Sequence, residues 1–163
     1  MAIGRAAVVA ASMCALTAVP VGAAGAHPAG SPRLSSFDQQ LVNSVNGQRQ
    51  LRGLSVLKVS APLTSIATGW ARQMAASGRS HDNPNLRAQV TASCPHWKAV
   101  GEVVDEAGES TELALWRDYY DNTAERQQLM QPSLTDIGVH TVTTNQHGAQ
   151  VRWNVIDVAT NCE

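Results

Sequence analysis

An amphipathic helix predicted between Ser60 and Gly78 constrains the fold more than any other stretch of this chain. Ser60 can cap the helix N-terminus, and Gly78 can adopt the left-handed conformation that often ends helices. Between them, apolar residues recur at the i, i+3, i+4, i+7 spacing of one buried helical face: Leu63, Ile66, Ala67, Trp70, Ala71 and Met74. A helix packed along this face holds the polar residues that follow it in a fixed place. We therefore treat His81, three residues after Gly78, as a candidate site residue.

The first 26 residues have the composition of a secretory signal peptide. Arg5 gives a short positive start, residues 6–21 form an apolar run, and Ala24-Gly25-Ala26 is an A-x-A cleavage signal. Cys14 within the run raises the alternative of a lipoprotein, but the large residue before it suits lipid attachment poorly. No later segment approaches the roughly 20 apolar residues of a membrane span. We therefore expect cleavage near Ala26 and a secreted, extracellular product without a transmembrane anchor.

The rest of the chain is predicted to form one domain. Residues 27–34 are rich in Pro, Gly and Ser and read as a disordered leader, which leaves residues 35–163 for a single domain with a sizeable core. Without the signal peptide, 11 basic and 13 acidic residues remain, a formal charge of −2. This balance offers no basic stripe of the kind that nucleic-acid binding requires. We expect a monomer that does not bind nucleic acid.

Two cysteines remain after removal of the signal peptide. Cys94 and Cys162 can form one intramolecular disulfide in an oxidising compartment. Closing so long a loop would stabilise the fold by about 4 kcal/mol in the chain-entropy model. The alternative is that both thiols stay unpaired.

Further helices are predicted from periodicity and capping residues. They cover residues 35–53, 86–92, 110–120 and 122–130. In the third of these, Leu113, Trp116 and Tyr119 recur at helical spacing, and Asn122 or Thr123 can cap the fourth. The acidic segment 105–112 is predicted to be a solvated loop, and it lacks the residue order of a calcium-binding EF-hand.

The last third of the chain changes to β-branched patterns. Residues 136–144 and 150–158 are predicted strands, and Asn145 to Gly148 reads as the turn of a hairpin between them. Alternation along the second strand predicts two faces, with Val151, Trp153, Val155 and Asp157 on one and Arg152, Asn154, Ile156 and Val158 on the other. Helices first and an antiparallel hairpin last indicate an α+β or layered αβα domain.

Several short motifs follow one another in a recognisable order. They are N-x-x-R-x-x-x-G-L from Asn46 to Leu54, W-A-x-x-M-A from Trp70 to Ala75, His81, Gly101-Glu102, Glu125-Arg126 to Met130 with T-D-I-G-V from Thr135, and Trp153 in the final strand. In this order the motifs resemble a bacterial CAP (SCP-like) domain. The superfamily includes cysteine-rich secretory proteins, antigen 5 and plant pathogenesis-related proteins.

The resemblance covers about residues 37–158 and implies a fold and a cleft. The fold is a three-layer αβα sandwich with a central antiparallel sheet. In the cleft, the family places two histidines and two acidic residues, which bind a divalent metal in some members. His81 matches the first histidine and Glu102 the glutamate of the family's G-E-N motif. The second histidine position falls on Glu125, the other acidic position falls near Tyr119, and Val103 stands at the asparagine of G-E-N.

The resemblance therefore points to His81, Glu102 and Glu125 as cleft or ligand-binding residues. One imidazole and two carboxylates could hold zinc or manganese, with His81 and Glu102 as metal ligands. An open coordination position would let a metal-bound water ionise. The alternative is a hydrogen-bonded pair of His81 and Glu102 lining the cleft, with Glu125 solvated or paired to an arginine.

The function that the resemblance implies is extracellular binding, of a hydrophobic ligand such as a lipid or sterol or of a protein partner. The alternative is a metal-assisted hydrolase centred on His81, Glu102 and Glu125. The sequence names no nucleophile for a hydrolase without metal. Ser80 is adjacent to His81 and so poorly placed to present a hydroxyl to it, and no G-x-S-x-G elbow occurs. We therefore do not favour catalysis.

Overall fold

The computed structural model describes residues 32–108 and 121–163 of the 163-residue chain. The predicted signal peptide, most of the predicted leader and the helix predicted over residues 110–120 lie outside the described residues. Within them, the helices are α1 (Ser36–Leu51), α2 (Ala61–Ser77), α3 (Leu86–Ser93) and α4 (Thr123–Leu129). The strands are β1 (Lys58–Val59), β2 (Val100–Ala107), β3 (Asp136–Gln146) and β4 (Ala149–Ala159).

The helix α2 begins and ends at the residues that the sequence predicts. The Ser60 hydroxyl accepts from the Leu63 N–H at 3.3 Å, and Pro62 stands in the first turn, where its missing N–H costs no helical hydrogen bond. Gly78 ends the helix in the left-handed conformation, and its N–H donates to the Met74 carbonyl at 2.8 Å. The six predicted face residues are all buried. These predictions are confirmed.

Polar caps also set the starts of α1 and α4. Ser35 caps α1 by accepting from the Asp38 N–H at 3.0 Å. Asn122 caps α4 by accepting from the N–H groups of Ala124 and Glu125. A side-chain acceptor at these positions satisfies N–H groups that the first turn leaves without a partner. Both predicted helices are confirmed.

Four strands form one mixed sheet in the order β1-β3-β4-β2. β3 and β4 form the predicted antiparallel hairpin, whose turn residues His147 and Gly148 both have positive φ, as type I′ turns require. β2 lies antiparallel along the other edge of β4, and the short β1 pairs parallel with β3. The expected antiparallel centre is therefore present, with one short parallel strand added to it.

One local prediction fails in part. The segment 105–112 was expected to be a loop, but Asp105 to Ala107 belong to β2. Their partners on β4 are Asn154 to Arg152. Backbone pairing with a long neighbouring strand outweighs the low strand propensity of acidic residues. Residues 109–112 lie outside the described part of the chain.

Helices cover both faces of the sheet. One face carries a core shared with α1 and α4, made of Leu41, Val42, Val45, Leu57, Val103, Leu129, Leu134, Ile137, Val139, Ile156 and Val158. The other face packs against α2 and α3 through Leu63, Ile66, Ala67, Trp70, Ala71, Met74, Leu86, Val90, Trp153, Val155 and Ala159. This is the expected αβα arrangement. The alternation predicted for β4 separates the two cores, with Trp153 and Val155 on the α2 face.

The N-x-x-R motif has a structural role. The Asn46 side chain donates to the Leu57 carbonyl at 3.0 Å and accepts from the Leu57 N–H at 2.7 Å, so it holds the chain just before β1. Arg49 is fully buried and donates to four backbone carbonyls, those of Ser55, Leu129, Gln131 and Leu134, at 2.7–3.4 Å. Carbonyl groups thus satisfy a guanidinium that would otherwise be costly to bury.

The Cys94–Cys162 disulfide is present, with its two Cα atoms 4.8 Å apart. It joins the end of α3 to the C-terminal segment. Backbone contacts hold the same segment: the Cys162 N–H donates to Asp136 Oδ2 at 2.8 Å, and the Ser60 hydroxyl donates to the Cys162 carbonyl. Across the described ranges, no helix combines the length and the hydropathy needed to span a bilayer.

Candidate functional site

The α2–α3 connection, the start of β2 and the end of α4 border a cleft of about 310 Å³. Its polar lining consists of Asp82, Asn83, Arg87, Glu102 and Gln128. Its apolar lining consists of Pro84, Leu86 and Val100, next to Gly101. Three separate parts of the chain therefore contribute to one predominantly polar depression.

Glu102 lies at the base of the cleft and is held on both sides. Its carboxylate Oε1 accepts from the Asn83 N–H at 2.6 Å, and its own N–H donates to Gln128 Oε1 at 3.1 Å. The Asn83 side chain is fixed in turn, because it donates to Gln89 and accepts from the Asn85 N–H. These bonds tie the loop after α2 and the end of α4 to the first residues of β2.

Gly101 leaves room beside β2 for the Gln128 side chain of α4. A Cβ atom at this position would lie 2.7 Å from Gln128 Oε1. The absence of a side chain lets the Gln128 carboxamide reach the Glu102 N–H. The glycine of the Gly101-Glu102 motif therefore makes room for a neighbour, while the glutamate supplies the carboxylate.

Glu102 shares its burial with Asp157. The two residues are direct partners in the pairing of β2 with β4, and Asp157 has no exposed surface. Burial raises the pKa of Asp157 well above its ordinary value, and the charge and hydrogen bonding of Glu102 raise it further. Burial also raises the pKa of Glu102, against the opposing effect of the Asn83 N–H.

The carboxyl pair of Glu102 and Asp157 needs a proton to be hydrogen-bonded. Two carboxylates are both acceptors, and with both ionised, the two oxygens of Asp157 and Oε2 of Glu102 meet no donor. A proton held between them supplies the missing donor and removes one buried charge. The base of the cleft is therefore less negative than two carboxylates would make it.

His81 lies beside this pair, exposed at the surface. Its ring packs edge-on against Trp70, with centroids 4.9 Å apart, and its carbonyl accepts from Trp70 Nε1 at 2.8 Å. Its Nδ1 lies 3.3 Å from the Arg79 carbonyl. Its charge lowers the pKa of Glu102, so the two residues are within electrostatic reach, but the described structure contains no hydrogen bond between them.

Glu125 lies on α4, one turn before Gln128, and is not among the residues that line the cleft. Its Oε1 accepts from Asn122 Nδ2 at 3.0 Å. The structure thus brings Glu102 and His81 near each other and places Glu125 farther along the same border. Tyr119 lies outside the described residues.

The described residues do not form a set of ligands that fits zinc or manganese. Within residues 32–108 and 121–163, no three His, Cys, Asp or Glu side chains are grouped as a metal site would need. Glu102 Oε1 is already bonded to a backbone N–H, and Oε2 is buried against Asp157. We therefore derive no chemistry through a metal, and metal binding by His81 and Glu102 stays a prediction.

Sequence reasoning did not single out Asp157 or Gln128 as site residues. Asp157 carried a usable signal, because it is an acidic residue on the same predicted strand face as Trp153 and Val155, which is the face that packs on α2. Gln128 had no comparable signal. Its role depends on the distance between α4 and Gly101, which the sequence does not encode locally.

A family model described as the CAP, cysteine-rich secretory protein, family matches residues 42–156. This chain belongs to the CAP family. The match runs from within α1 to within β4, so it includes Glu102 and ends one residue before Asp157. No curated protein sequence gives a significant match to this CAP protein.

Solved structures share the fold. An outer surface protein from Borrelia burgdorferi superposes with a TM-score of 0.66 at 12% identity, over 81% of this chain and 98% of that one. A cysteine-rich secretory protein from Staphylococcus aureus gives 0.60 at 20%, over 76% of this chain and 38% of that one. An extracellular SCP-domain protein from Bacillus anthracis gives 0.58 at 19%, over 77% and 45%. This CAP protein spans less than half of the latter two chains, and such identities show the fold alone.

Proposed function

We propose that this CAP protein is exported and acts as an extracellular binding module that receives a polar group of a protein or peptide partner in the cleft above Glu102. The observation that carries the proposal is the cleft itself. Glu102 accepts from the Asn83 N–H and donates its own N–H to Gln128 Oε1, and these hydrogen bonds fix the base of the cleft before any ligand arrives. A site whose polar groups are already held loses little conformational entropy on binding.

The lining of the cleft favours binding over hydrolysis. No serine, threonine or cysteine lies among the described lining residues, so they supply no hydroxyl or thiol nucleophile. Glu102 is bonded to a backbone N–H, and Asp157 is enclosed beneath it. Within the described residues, Glu102 and Asp157 therefore have a structural role in the cleft, and neither is placed as a general base beside a hydroxyl or thiol.

The described surface favours a protein or peptide over a lipid. Leu51 and Val56 are the large apolar side chains with high exposure in the described residues, at 79% and 46%. Neither lines the cleft. A lipid-like ligand needs an apolar pocket, which this predominantly polar lining does not provide.

The binding proposal is tested with the protein recovered from the medium of cells that express the full chain. The protein is immobilised and used to capture partners from culture medium, beside Arg87→Ala as the cleft variant and Arg33→Ala as a matched exposed control. We expect a partner retained by the wild type and by Arg33→Ala and released by Arg87→Ala. Equal retention by all three proteins would exclude the cleft as the binding site. Lipid recovered in stoichiometric amounts by organic extraction would favour the hydrophobic-ligand alternative.

Export is tested on the same preparation. Mass spectrometry of the protein in the medium should show a chain that begins at His27, the residue after the A-x-A signal. A full-length chain that remains with the cells would contradict export by this route. A mass increase from attached lipid on Cys14 would establish the lipoprotein alternative instead.

A further inference from the structure

Two side chains of the cleft present hydrogen-bond donors that nothing else in the described structure uses. They are the carboxamide of Gln128 and the guanidinium of Arg87. Resting on the proposed binding function, we propose that together they form a carboxylate subsite, which recognises the free C-terminal carboxylate of a peptide or protein. Neither residue is among the positions that the family resemblance assigns to the cleft.

The orientation of the Gln128 carboxamide is fixed by chemistry. The Glu102 N–H can donate only to an oxygen, so the atom 3.1 Å from it must be Oε1. The other terminal atom of the carboxamide is then the amide nitrogen, Nε2. It has no acceptor within the described residues, and the side chain lines the cleft. Two N–H donors are thereby available to a ligand.

The Arg87 guanidinium is held on the other border of the cleft. Its Cζ lies 5.6 Å from the centroid of the Trp97 ring, and that ring is itself fixed by an indole N–H bond of 3.1 Å to Thr91 Oγ1. Stacking on an indole holds a guanidinium in place and leaves its edge free to bond. No carboxylate pairs with Arg87 in the described parts of the chain. The planar edge suits a carboxylate, which it can bind through two parallel hydrogen bonds.

Three acids lie near this positive charge: Glu102, Asp157 and Asp82. The buried carboxyl pair of Glu102 and Asp157 shares a proton, which leaves it one negative charge, and Oε1 of Glu102 is bonded to the Asn83 N–H. Asp82 remains as an exposed acid at the border. A ligand carboxylate would therefore be held by direct hydrogen bonds to Arg87 and Gln128 and not by a net positive cleft, and a polyanion would be repelled by Asp82 and the carboxyl pair.

The test compares two probes that differ only at the C-terminus. N-acetyl-dialanine with a free carboxylate and its C-terminal amide are titrated separately into ¹⁵N-labelled full-length protein at millimolar concentration. We expect the acid to shift the backbone amide signals of Asn83 and Glu102. We expect the C-terminal amide to bind at least about tenfold more weakly than the acid. Equal shifts by both probes, or no shift by the acid, would overturn the carboxylate subsite.

Variants assign the subsite to its residues. Gln128→Glu keeps an oxygen for the Glu102 N–H and replaces the free donors with a second acceptor, and Arg87→Gln removes the cation. Each should weaken binding of the acid about tenfold or more, whereas Gln40→Glu and Arg33→Gln, at exposed positions outside the cleft, should not. Retained affinity in both cleft variants would assign the carboxylate to other residues and overturn the proposal.

Two further observations keep these tests separable. Arg87 is exposed, so Arg87→Gln stays informative if a substitution at the half-buried Gln128 unfolds the protein. Gly101→Ala supplies an independent variant, because its Cβ displaces only the flexible end of Gln128, and it should weaken binding of the acid as well. Partner capture that depends on the cleft, together with equal binding of acid and amide, would refute the subsite and leave the binding function standing.

Discussion

Glu102 and Asp157 face each other across β2 and β4, buried on the side of the sheet that packs against α2. On the far side of Asp157, the residue of β3 in the same row is Gly138. Burial and the neighbouring Glu102 raise the pKa of Asp157, and the described structure supplies no cation in contact with Asp157. Protonation of this pair therefore affects both the charge of the cleft and the free energy of unfolding of the domain.

The pair should make folding depend on pH. Because the folded-state pKa of Asp157 is raised, the native protein binds more protons than the unfolded chain at pH values between the two pKa values. The contribution of the pair to the free energy of unfolding is therefore highest below the ordinary aspartate pKa of about 3.9 and falls as pH rises, by up to about 1.4 kcal/mol per pH unit for one retained proton. Urea unfolding followed by tryptophan fluorescence at several pH values measures this slope.

Asp157→Asn should flatten the dependence. An amide keeps a donor towards Glu102 at every pH, so the variant should gain stability relative to wild type as the pH rises. Asp121→Asn, at an exposed position, is the matched control and should keep the wild-type slope. An unchanged slope in Asp157→Asn would contradict a proton held by the pair.

Gly138→Ala should destabilise the domain. A Cβ at this position would lie 2.3 Å from the Leu63 carbonyl carbon and 2.4 Å from the Thr64 nitrogen, both backbone atoms of α2. The helix would have to move off the sheet, and overpacking of this kind costs about 1–3 kcal/mol or more. Denaturant unfolding gives the value.

Gly69→Ala is the control for that change. Gly69 lies within α2 itself, and a Cβ there would meet no atom within 4 Å. Alanine favours a helix over glycine by about 0.5–1 kcal/mol, so this substitution should raise the free energy of unfolding. If Gly138→Ala were equally well tolerated, the close contact of α2 with β3 would be wrong.

Arg49→Ala should cost about 3 kcal/mol or more, because it leaves four carbonyl acceptors in the interior without their donor. Arg49→Lys should restore only part of the loss, since an ammonium group cannot reach carbonyls spread over two connections. Unfolding free energies report both effects. Arg52→Ala, an exposed arginine in the next turn, should change them by less than about 0.5 kcal/mol, and a comparable loss there would point to a general charge effect.

The disulfide should contribute about 4 kcal/mol in the chain-entropy model, because it closes a loop with a sequence separation of 68 residues. The double variant Cys94→Ala and Cys162→Ala should therefore unfold at lower urea concentration. Reducing agent should shift the wild type to the same midpoint and leave the double variant unaffected. A wild type insensitive to reductant after unfolding and refolding in its presence would mean that the bond adds little.

Periodic local patterns could be read from the sequence with good accuracy. The α2 face from Leu63 to Met74, the caps at Ser60 and Asn122, and the alternation along β4 depend on residues a few positions apart. Asp105 to Ala107 were misread, since their conformation depends on pairing with Arg152 to Asn154, more than forty positions away. The order of the motifs from Asn46 to Trp153 sufficed to indicate the family.

The sequence by itself determined the four described helices and the β3–β4 hairpin, because these depend on neighbouring residues, and the order of its motifs indicated the layered fold and, through the family resemblance, His81 and Glu102. Only the tertiary structure decided what surrounds Glu102. Strand pairing put Asp157 beside it, and the missing side chain of Gly101 let Gln128 reach its N–H from α4. Burial and proximity set the charge of a carboxyl group, and both are properties of the packed chain.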